Sequence, residues 1–280
     1  MDKRYDAMNM ITLDIPVEPM QGYINSKRGQ GCAISHMGLV VAAYLRTAAE
    51  YPRLNRFIVN KRIYQRNEFH VAMVVLKPGH EDSTMSKVRF EFTDDVFMVQ
   101  KKIDEYVGQN REEQSNSTDR LAQILINTPG LLSIGIWAIK WLDRRGWLPR
   151  AIIDASPFHT SLTISNLASI RTNHIYHHCY EFGTTSVFIT LGNLREVPVR
   201  EKGKVVFKRS LPLGVVMDER ICSGQYFANA CKSIYRYLAD PSLMEAPLDM
   251  EALSPQWMES PPESPDLTES PELPELSPGI

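Results

Sequence analysis

The segment from Glu251 to Ile280 limits how much of this 280-residue chain can fold. It contains seven prolines, seven acidic residues and five Ser-Pro steps, with no Lys or Arg. Such a composition leaves too little apolar area to offset the entropy that is lost on ordering. We therefore predict one folded domain over residues 1–250 and a disordered acidic tail over residues 251–280. A tail of this kind is suited to binding a protein partner.

The charge balance differs between these two parts. The whole chain has 33 acidic residues and 31 Lys and Arg residues. Without the seven acids of the tail, 26 acids remain against 31 basic residues, so the domain carries about five net positive charges. This excess is too small to predict a nucleic-acid-binding face. It suits an anionic ligand such as a nucleotide-bearing thioester.

The four cysteines, Cys32, Cys179, Cys222 and Cys231, form no Cys-x-x-Cys pair and no zinc-type spacing with histidines. This pattern predicts neither a metal site nor a disulfide framework. The N-terminus has no apolar segment of the signal-peptide type, and no apolar run approaches the ~20 residues of a membrane span. We expect a cytoplasmic protein with no membrane span.

Hydrophobic periodicity predicts a mixture of helices and strands. The predicted helices cover residues 36–52, 94–107 and 224–241. The predicted strands cover residues 56–64, 68–77, 87–93, 158–167, 184–192 and 203–218, with the first two paired and a turn near Lys202 and Gly203. Because strands and helices do not alternate regularly, we predict an α+β fold with helices on one side of a mixed or antiparallel sheet.

The apolar segment 120–149 is predicted to form two helices joined at Pro129-Gly130. Trp137, Trp141 and Trp147 lie in its second half. Two interpretations are open: a buried core helix, or an element that binds a membrane surface or an acyl chain. The core helix is favoured because interfacial helices usually carry a strongly charged opposite face.

Four stretches occur in an order and spacing that resemble one family. They are VVAAYLRTAAEYPRLNRF, SLTISNLASI, SVFITLG and LPLGVVMDERICSGQYFANACKSIYRYLADP. Together they resemble the acyltransferase catalytic domain of 2-oxo acid dehydrogenase complexes, a relative of chloramphenicol acetyltransferase. The resemblance spans roughly residues 30–245 and implies a two-layer α+β fold that forms a homotrimer, with active-site channels between subunits. It also implies a coenzyme A thioester as substrate and no covalently bound cofactor.

The resemblance implies roles for several residues. The family's catalytic loop runs Asp-His-Arg-x-x-Asp-Gly, and a serine in a Thr-Ile-Ser strand stabilises the oxyanion. In this chain Ser165 keeps the oxyanion donor, with Asn166 beside it as a structural residue. In the loop, Arg220 and Gly224 keep the family's arginine and glycine.

Two loop positions depart from the family. Glu219 stands where the family has the histidine base, and Ser223 stands where it has the aspartate. A solvated glutamate has a pKa of about 4.3, against about 8.5 for a thiol, so it is a weak base for this chemistry. We therefore expect acetyl transfer to a thiol to be very slow, and Glu219 to pair with an arginine as a structural anchor.

A second candidate base lies in the stretch NHIYHHCYEFG. It contains His174, His177 and His178, and histidine titrates close to neutral pH. Hydrogen-bonded strand-end histidines, a catalytic or ligand-binding role for His177 or His178, and a metal site are all open. A metal site would need a third ligand that the sequence does not identify. Cys222 is expected to be a small buried residue rather than a nucleophile.

Two functions remain open from the sequence. The first is a stand-alone, divergent acyltransferase that uses a coenzyme A thioester, since the segment before the match is too short for a lipoyl domain. The second is a catalytically inactive trimeric binding or scaffold protein with the same fold. The loss of the loop histidine and aspartate motivates the second function.

Overall fold

The computed structural model describes residues 3–76, 83–111, 131–251 and 253. The predicted tail over residues 251–280 lies outside the described residues except at positions 251 and 253. Its disorder and its partner therefore stay predictions.

A mixed sheet of seven strands organises the described part of the chain. The strands are β1 Met8–Pro16, β4 Phe69–Leu76, β5 Ser83–Phe90, β6 Leu162–Asn166, β7 Val187–Leu191, β8 Arg195–Glu201 and β9 Lys204–Asp218, while β2 Arg56–Val59 and β3 Arg62–Gln65 form a separate hairpin. The order in the sheet is β1-β9-β7-β6-β4-β5, and β8 pairs with the first half of β9. The pairs β4–β6 and β6–β7 are parallel, and the other pairs in this sheet are antiparallel.

Four helices contribute to the main core together with one face of the sheet. They are α1 Val17–Gly29, α2 His36–Glu50, α3 Val96–Arg111 and α6 Gly224–Ala239. The apolar face of α6, formed by Phe227, Ala230, Cys231, Ile234 and Leu238, is buried in this core. The Asp95 carboxylate accepts a hydrogen bond from the Met98 amide, which caps the start of α3. The α+β prediction is therefore confirmed.

The opposite side of the sheet, here called the outer face, is more polar. Because successive strand residues point to opposite sides, the residues between the core positions of β6, β7 and β9 share this face. They are Thr163, Ser165, Phe188, Thr190, Gly214, Val216 and Asp218. A small apolar cluster of Cys179, Phe188 and Val216 covers one part of it.

The predicted pairing of residues 56–64 with residues 68–77 is wrong. Asn60 and Lys61 both have positive φ angles, of 49° and 62°, so they form a two-residue turn inside the first segment. The chain folds back there, and β2 pairs with β3. The second segment enters the main sheet as β4.

The core position favoured for the tryptophan-containing helix is also wrong. The observed helix α4 covers Leu131–Arg145 and is followed by the short helix α5, Arg150–Ala155. Trp137 is 65% exposed and Trp147 is 61% exposed. The helix predicted before Pro129-Gly130 lies outside the described residues. None of the helices that the structure describes is long and apolar enough to cross a membrane.

Candidate functional site

The strand β6 places Ser165 on the outer face. Its half-buried hydroxyl forms no hydrogen bond with the described residues, so it is available to a ligand. Asn166 ends the strand, and its carbonyl oxygen accepts a hydrogen bond of 2.6 Å from the Ser169 hydroxyl. This contact stabilises the turn after the strand and involves the backbone of Asn166, so the structural role of the Asn166 side chain stays a prediction.

The loop after β9 is held by Asp218. The carboxylate of Asp218 is fully buried and accepts hydrogen bonds from Arg220 Nε at 2.8 Å and from Arg220 Nη2 at 2.7 Å. The Nε atom of Arg4 lies 3.6 Å from Asp218 Oδ2, the oxygen that also accepts from Arg220 Nη2. The hydrogen bonds to Asp218 raise the pKa of Arg220.

The arginine pair that was predicted for Glu219 is therefore not found. Arg220 binds Asp218 instead, and the Glu219 side chain forms no hydrogen bond or ion pair with the described residues. The physical reason is position: Asp218 still lies in the strand and is fully buried, whereas Glu219 begins the short 3-10 helix Glu219–Ile221 and is half-exposed.

The rest of the loop begins the helix α6. Ser223 is the N-cap, and its hydroxyl accepts a hydrogen bond of 3.4 Å from the Tyr226 amide. Gly224 is the first helical residue. Cys222 is buried, as predicted, and burial raises the pKa of its thiol to about 12. A thiol with that pKa is not a nucleophile at neutral pH.

Ser165 and Glu219 lie far apart within one chain. The register aligns Ser165 with Thr190 and Thr190 with Gly214, five residues before Glu219. That separation is about 16 Å along the strand, plus two strand spacings of about 4.8 Å each. The two side chains can therefore contribute to one site only if they come from different copies of the chain.

His177 also packs on the outer face. Its ring stacks on Phe188 with the ring centroids 4.3 Å apart. Its Nδ1 lies 2.9 Å from the carbonyl oxygen of His178. Because a carbonyl only accepts, Nδ1 carries the proton and Nε2 is left as the acceptor, 3.4 Å from the Tyr180 hydroxyl.

The other two histidines have different surroundings. The exposed ring of His178 stacks beside His177 at 5.3 Å, and His174 Nε2 lies 3.0 Å from the Thr12 hydroxyl. Burial lowers the pKa of His174. Across the part of the chain that the structure describes, no group of three His, Cys, Asp or Glu side chains could hold a metal ion.

A cavity of about 600 Å³ lies over β4 and β5 and is called here the basic cavity. Arg66, His70 and Lys87 line it, together with residues of the β2–β3 hairpin and of the segment 143–159. The predicted site residues Ser165, Glu219, His177 and His178 are not in its described lining. The structure therefore separates the cavity from all four.

A buried hydrogen-bonded chain forms one side of this cavity. His159 Nδ1 lies 2.8 Å from the Ser156 hydroxyl, and His159 Nε2 lies 2.9 Å from Asp143 Oδ1. The other carboxylate oxygen of Asp143 accepts a hydrogen bond of 2.8 Å from the Gly183 amide. The side chains of Asp143, Ser156 and His159 are all buried. These hydrogen bonds therefore connect α4, α5 and residue 183, and they do not present a nucleophile to the cavity.

Asp143 lies in the last turn of α4, which is followed by a glycine. Gly146 has a φ of 74°, and the Trp147 amide donates to the Leu142 carbonyl while the Gly146 amide donates to the Asp143 carbonyl. This is the Schellman arrangement, which glycine favours because it needs a left-handed residue. The sequence did not single out Asp143, His159, Arg66, His70 or Lys87. The available signal was the alternation in β4 and β5, which puts His70 and Lys87 opposite the core positions.

Comparisons with solved structures identify the fold. A probable dihydrolipoamide acetyltransferase from Listeria monocytogenes matches with a TM-score of 0.57 and 12% identity, over 82% of this chain and 83% of that one. The cubic core of a pyruvate dehydrogenase multienzyme complex matches with a TM-score of 0.60 and 13% identity, over 85% and 83%. A chloramphenicol acetyltransferase matches with a TM-score of 0.51 and 9% identity, over 83% and 88%.

The chain has the fold of these acyltransferase cores. The predicted resemblance is therefore confirmed at the level of fold. No protein-family model matches the sequence. No curated protein matches it either.

Proposed function

We propose that the chain is a divergent acyltransferase that moves an acyl group from a coenzyme A thioester to an acceptor on the outer face. The observation that supports this most is the position of His177 relative to Ser165. Phe188, which carries the His177 ring, is aligned with Thr163, two residues before Ser165 on the neighbouring strand. Phe188 and Ser165 are therefore about 8 Å apart at the backbone. The His177 ring on Phe188 and the Ser165 hydroxyl are then close enough to bind one thioester group between them.

The chemistry follows from these two side chains. His177 Nε2 takes the proton from the acceptor, which then attacks the carbonyl carbon of the thioester. The Ser165 hydroxyl donates a hydrogen bond to the oxyanion of the tetrahedral intermediate. When the intermediate collapses, the carbon–sulfur bond breaks and the coenzyme A thiolate takes the proton from His177. The products are the acylated acceptor and free coenzyme A.

We propose a homotrimer as the working assembly, since the loop with Glu219 can approach Ser165 only from another copy of the chain. Light scattering after size exclusion tests this assembly. A monomer at micromolar concentration would exclude a site shared between copies. It would leave the proposed roles of His177 and Ser165 unchanged, because both belong to one chain.

A thiol-release assay with acetyl-coenzyme A tests the catalytic roles. We expect Ser165→Ala and His177→Gln each to lower kcat/KM by about a hundredfold. His178→Gln is the matched control, because it removes the neighbouring imidazole and keeps the carbonyl that orients His177. Wild-type turnover that is abolished by Glu219→Gln and insensitive to His177→Gln would place the base in the loop and contradict the proposal.

One observation favours a second function, an inactive binding or scaffold protein with this fold. The loop residues Asp218, Arg220 and Ser223 are all engaged in contacts that hold the loop and begin α6. Isothermal titration with coenzyme A and with acetyl-coenzyme A separates the two functions, because a scaffold need bind neither. A cytoplasmic location and a tail-bound partner stay predictions.

A further inference from the structure

We propose that the basic cavity binds a small organic molecule through an oxyanion, either a carboxylate or a phosphate group. The inference rests on two cations, Arg66 and Lys87, that face the cavity without a carboxylate partner. It does not require the transfer chemistry proposed for the outer face, because the side chains of the two sites are different.

Arg66 has donors that the described residues leave unused. Its Nη2 donates to the carbonyl oxygen of Thr184 at 2.9 Å and also contacts the Thr184 hydroxyl. The guanidinium lies over the ring of Phe57, 4.4 Å from the centroid. Its Nε and Nη1 form no hydrogen bond or ion pair with the described residues. A guanidinium presents paired donors that match a carboxylate or a phosphate.

Lys87 is the second cation. Its ammonium donates to the carbonyl oxygen of Ile153 at 2.7 Å, so two of its three donors remain. It forms no ion pair with the described residues. Lys87 is aligned with Ala72 on the neighbouring strand, two residues from His70 on the same face of the sheet. Lys87 and His70 therefore face the cavity as diagonal neighbours.

The carboxylates of the described lining are engaged by other groups. Glu68 lies 3.1 Å from Arg150 and 3.7 Å from Arg89, and Asp154 lies 2.9 Å from Arg150. Asp143 is held by His159 and by the Gly183 amide. The described lining contains five Lys and Arg side chains, Arg62, Arg66, Lys87, Arg145 and Arg150, against the three acids Glu68, Asp143 and Asp154.

The pKa values of the cationic groups shift in one direction. Burial lowers the pKa of Arg66 to about 9 and also lowers the pKa of Lys87. Burial, followed by the charge of Lys87, lowers the pKa of His70 to about 4. The charges that face His70 are those of Lys87, Arg66, Arg89 and Glu68. A bound anion would add a negative charge beside these groups and so raise their pKa values, against the lowering by burial and by neighbouring positive charges.

The size and the walls of the cavity indicate an organic ligand rather than a bare ion. A volume of about 600 Å³ is in the range of small-molecule sites. The side chains of Phe57, Tyr64 and Trp147 add apolar and aromatic surface to the lining. The ligand class is therefore a small molecule with an apolar part and at least one carboxylate or phosphate group.

Titration calorimetry on the full chain with three probes tests the inference. The probes are phenyl phosphate, benzoate and the neutral benzamide. We expect at least one anion to bind and benzamide not to bind. We also expect Lys87→Gln and Arg66→Gln each to lower the affinity for the anion by at least about tenfold. Phenyl phosphate alone would identify a phosphate ligand, and benzoate alone a carboxylate ligand.

Two controls remove the same charge elsewhere. Arg200→Gln and Lys232→Gln change exposed side chains outside the described lining and should alter binding by less than about twofold. The imidazole NMR signals of His70 give a local readout in the wild type, and the bound anion should raise the pKa of His70. Equal loss of binding in the controls and in Lys87→Gln, an unmoved His70, or no binding of either anion would overturn the proposal. Arg66→Gln failing to fold would leave Lys87→Gln and His70 to decide.

Discussion

The loop from Asp218 to Gly224 and the basic cavity use charged side chains in opposite ways. In the loop, the buried carboxylate of Asp218 contacts both Arg220 and Arg4, so each of these charges has a partner of opposite sign. In the cavity, Arg66 and Lys87 contact carbonyl oxygens and leave their positive charges unmatched. Paired buried charges hold a structure together, whereas unpaired charges that face a cavity are available to a ligand.

This difference shows that resemblance to a motif and availability to a ligand are separate properties. The loop is the segment that resembles a catalytic loop, yet the contacts of its polar residues support the fold. The cavity matches no motif, yet it holds the unpaired cations. Four stability measurements can break or sharpen the comparison, two of them on each region.

The largest effect is expected for Asp218→Asn. The change leaves Arg4, which is 5% exposed, without its charge partner, and we expect a loss of about 3–5 kcal/mol in the free energy of unfolding. Urea denaturation measures it. Asp14→Asn is the matched control, because it breaks an exposed pair with Arg195 and should lose less than about 1 kcal/mol. Equal effects would show that the loop is not held by its buried charges.

The next effect is a pH dependence that comes from His70. Its folded-state pKa of about 4 lies below the ordinary value of 6.5, so folding favours the neutral imidazole. This contribution is fully present above pH 6.5 and is lost as the pH falls towards 4. It amounts to about 3 kcal/mol. We expect stability to fall less between pH 7 and pH 4 in His70→Gln than in the wild type. Parallel curves of stability against pH for the two proteins would show that the cavity does not disfavour a protonated His70.

A smaller effect is expected for Gly183→Ala, beside the cavity. Gly183 has a φ of 86°, and an added Cβ would lie 2.2 Å from the Phe158 carbonyl oxygen. Gly203 has a similar φ of 79° with no atom within 4 Å, so Gly203→Ala reports the backbone strain alone. We expect Gly183→Ala to lose about 2 kcal/mol more than Gly203→Ala in thermal unfolding. The same loss for both would mean that the packing around Asp143 and His159 can yield.

The smallest effect is expected at the N-cap of α6. Ser223→Ala removes the acceptor for the Tyr226 amide and should lower stability by about 1 kcal/mol. Ser223→Asp introduces the aspartate of the catalytic loop that this segment resembles and keeps an acceptor, so its stability should stay close to that of the wild type. Equal unfolding midpoints for the alanine and aspartate variants would remove the capping role from the loop.

The fold was predictable because its evidence is local and repeated. The helix over residues 224–241 and the strand over residues 203–218 each involve many residues, and both were predicted and are observed as α6 and β9. The β2–β3 hairpin was missed because Asn60 and Lys61 form a turn without a glycine, so the sequence signal is weak. The exposure of Trp137 was missed because an apolar helix that is not packed against the core has the same periodicity as one that is.

The candidate site was predictable only in part, for a different reason. Motif position indicates where a loop will be, and it did so for Arg220 and Ser223. Motif position does not indicate which carboxylate a guanidinium will bind. Arg220 binds Asp218 rather than Glu219. The cavity residues Arg66 and Lys87 come from separate segments, so only the folded chain brings them together.

The Glu219 side chain, which has no hydrogen bond or ion pair with the described residues, determines how well this position tolerates substitution. A replacement there breaks no such contact, while Asp218, Arg220 and Ser223 hold the surrounding turn. Position 219 can therefore accept another polar side chain, a histidine included, with little loss of folding stability.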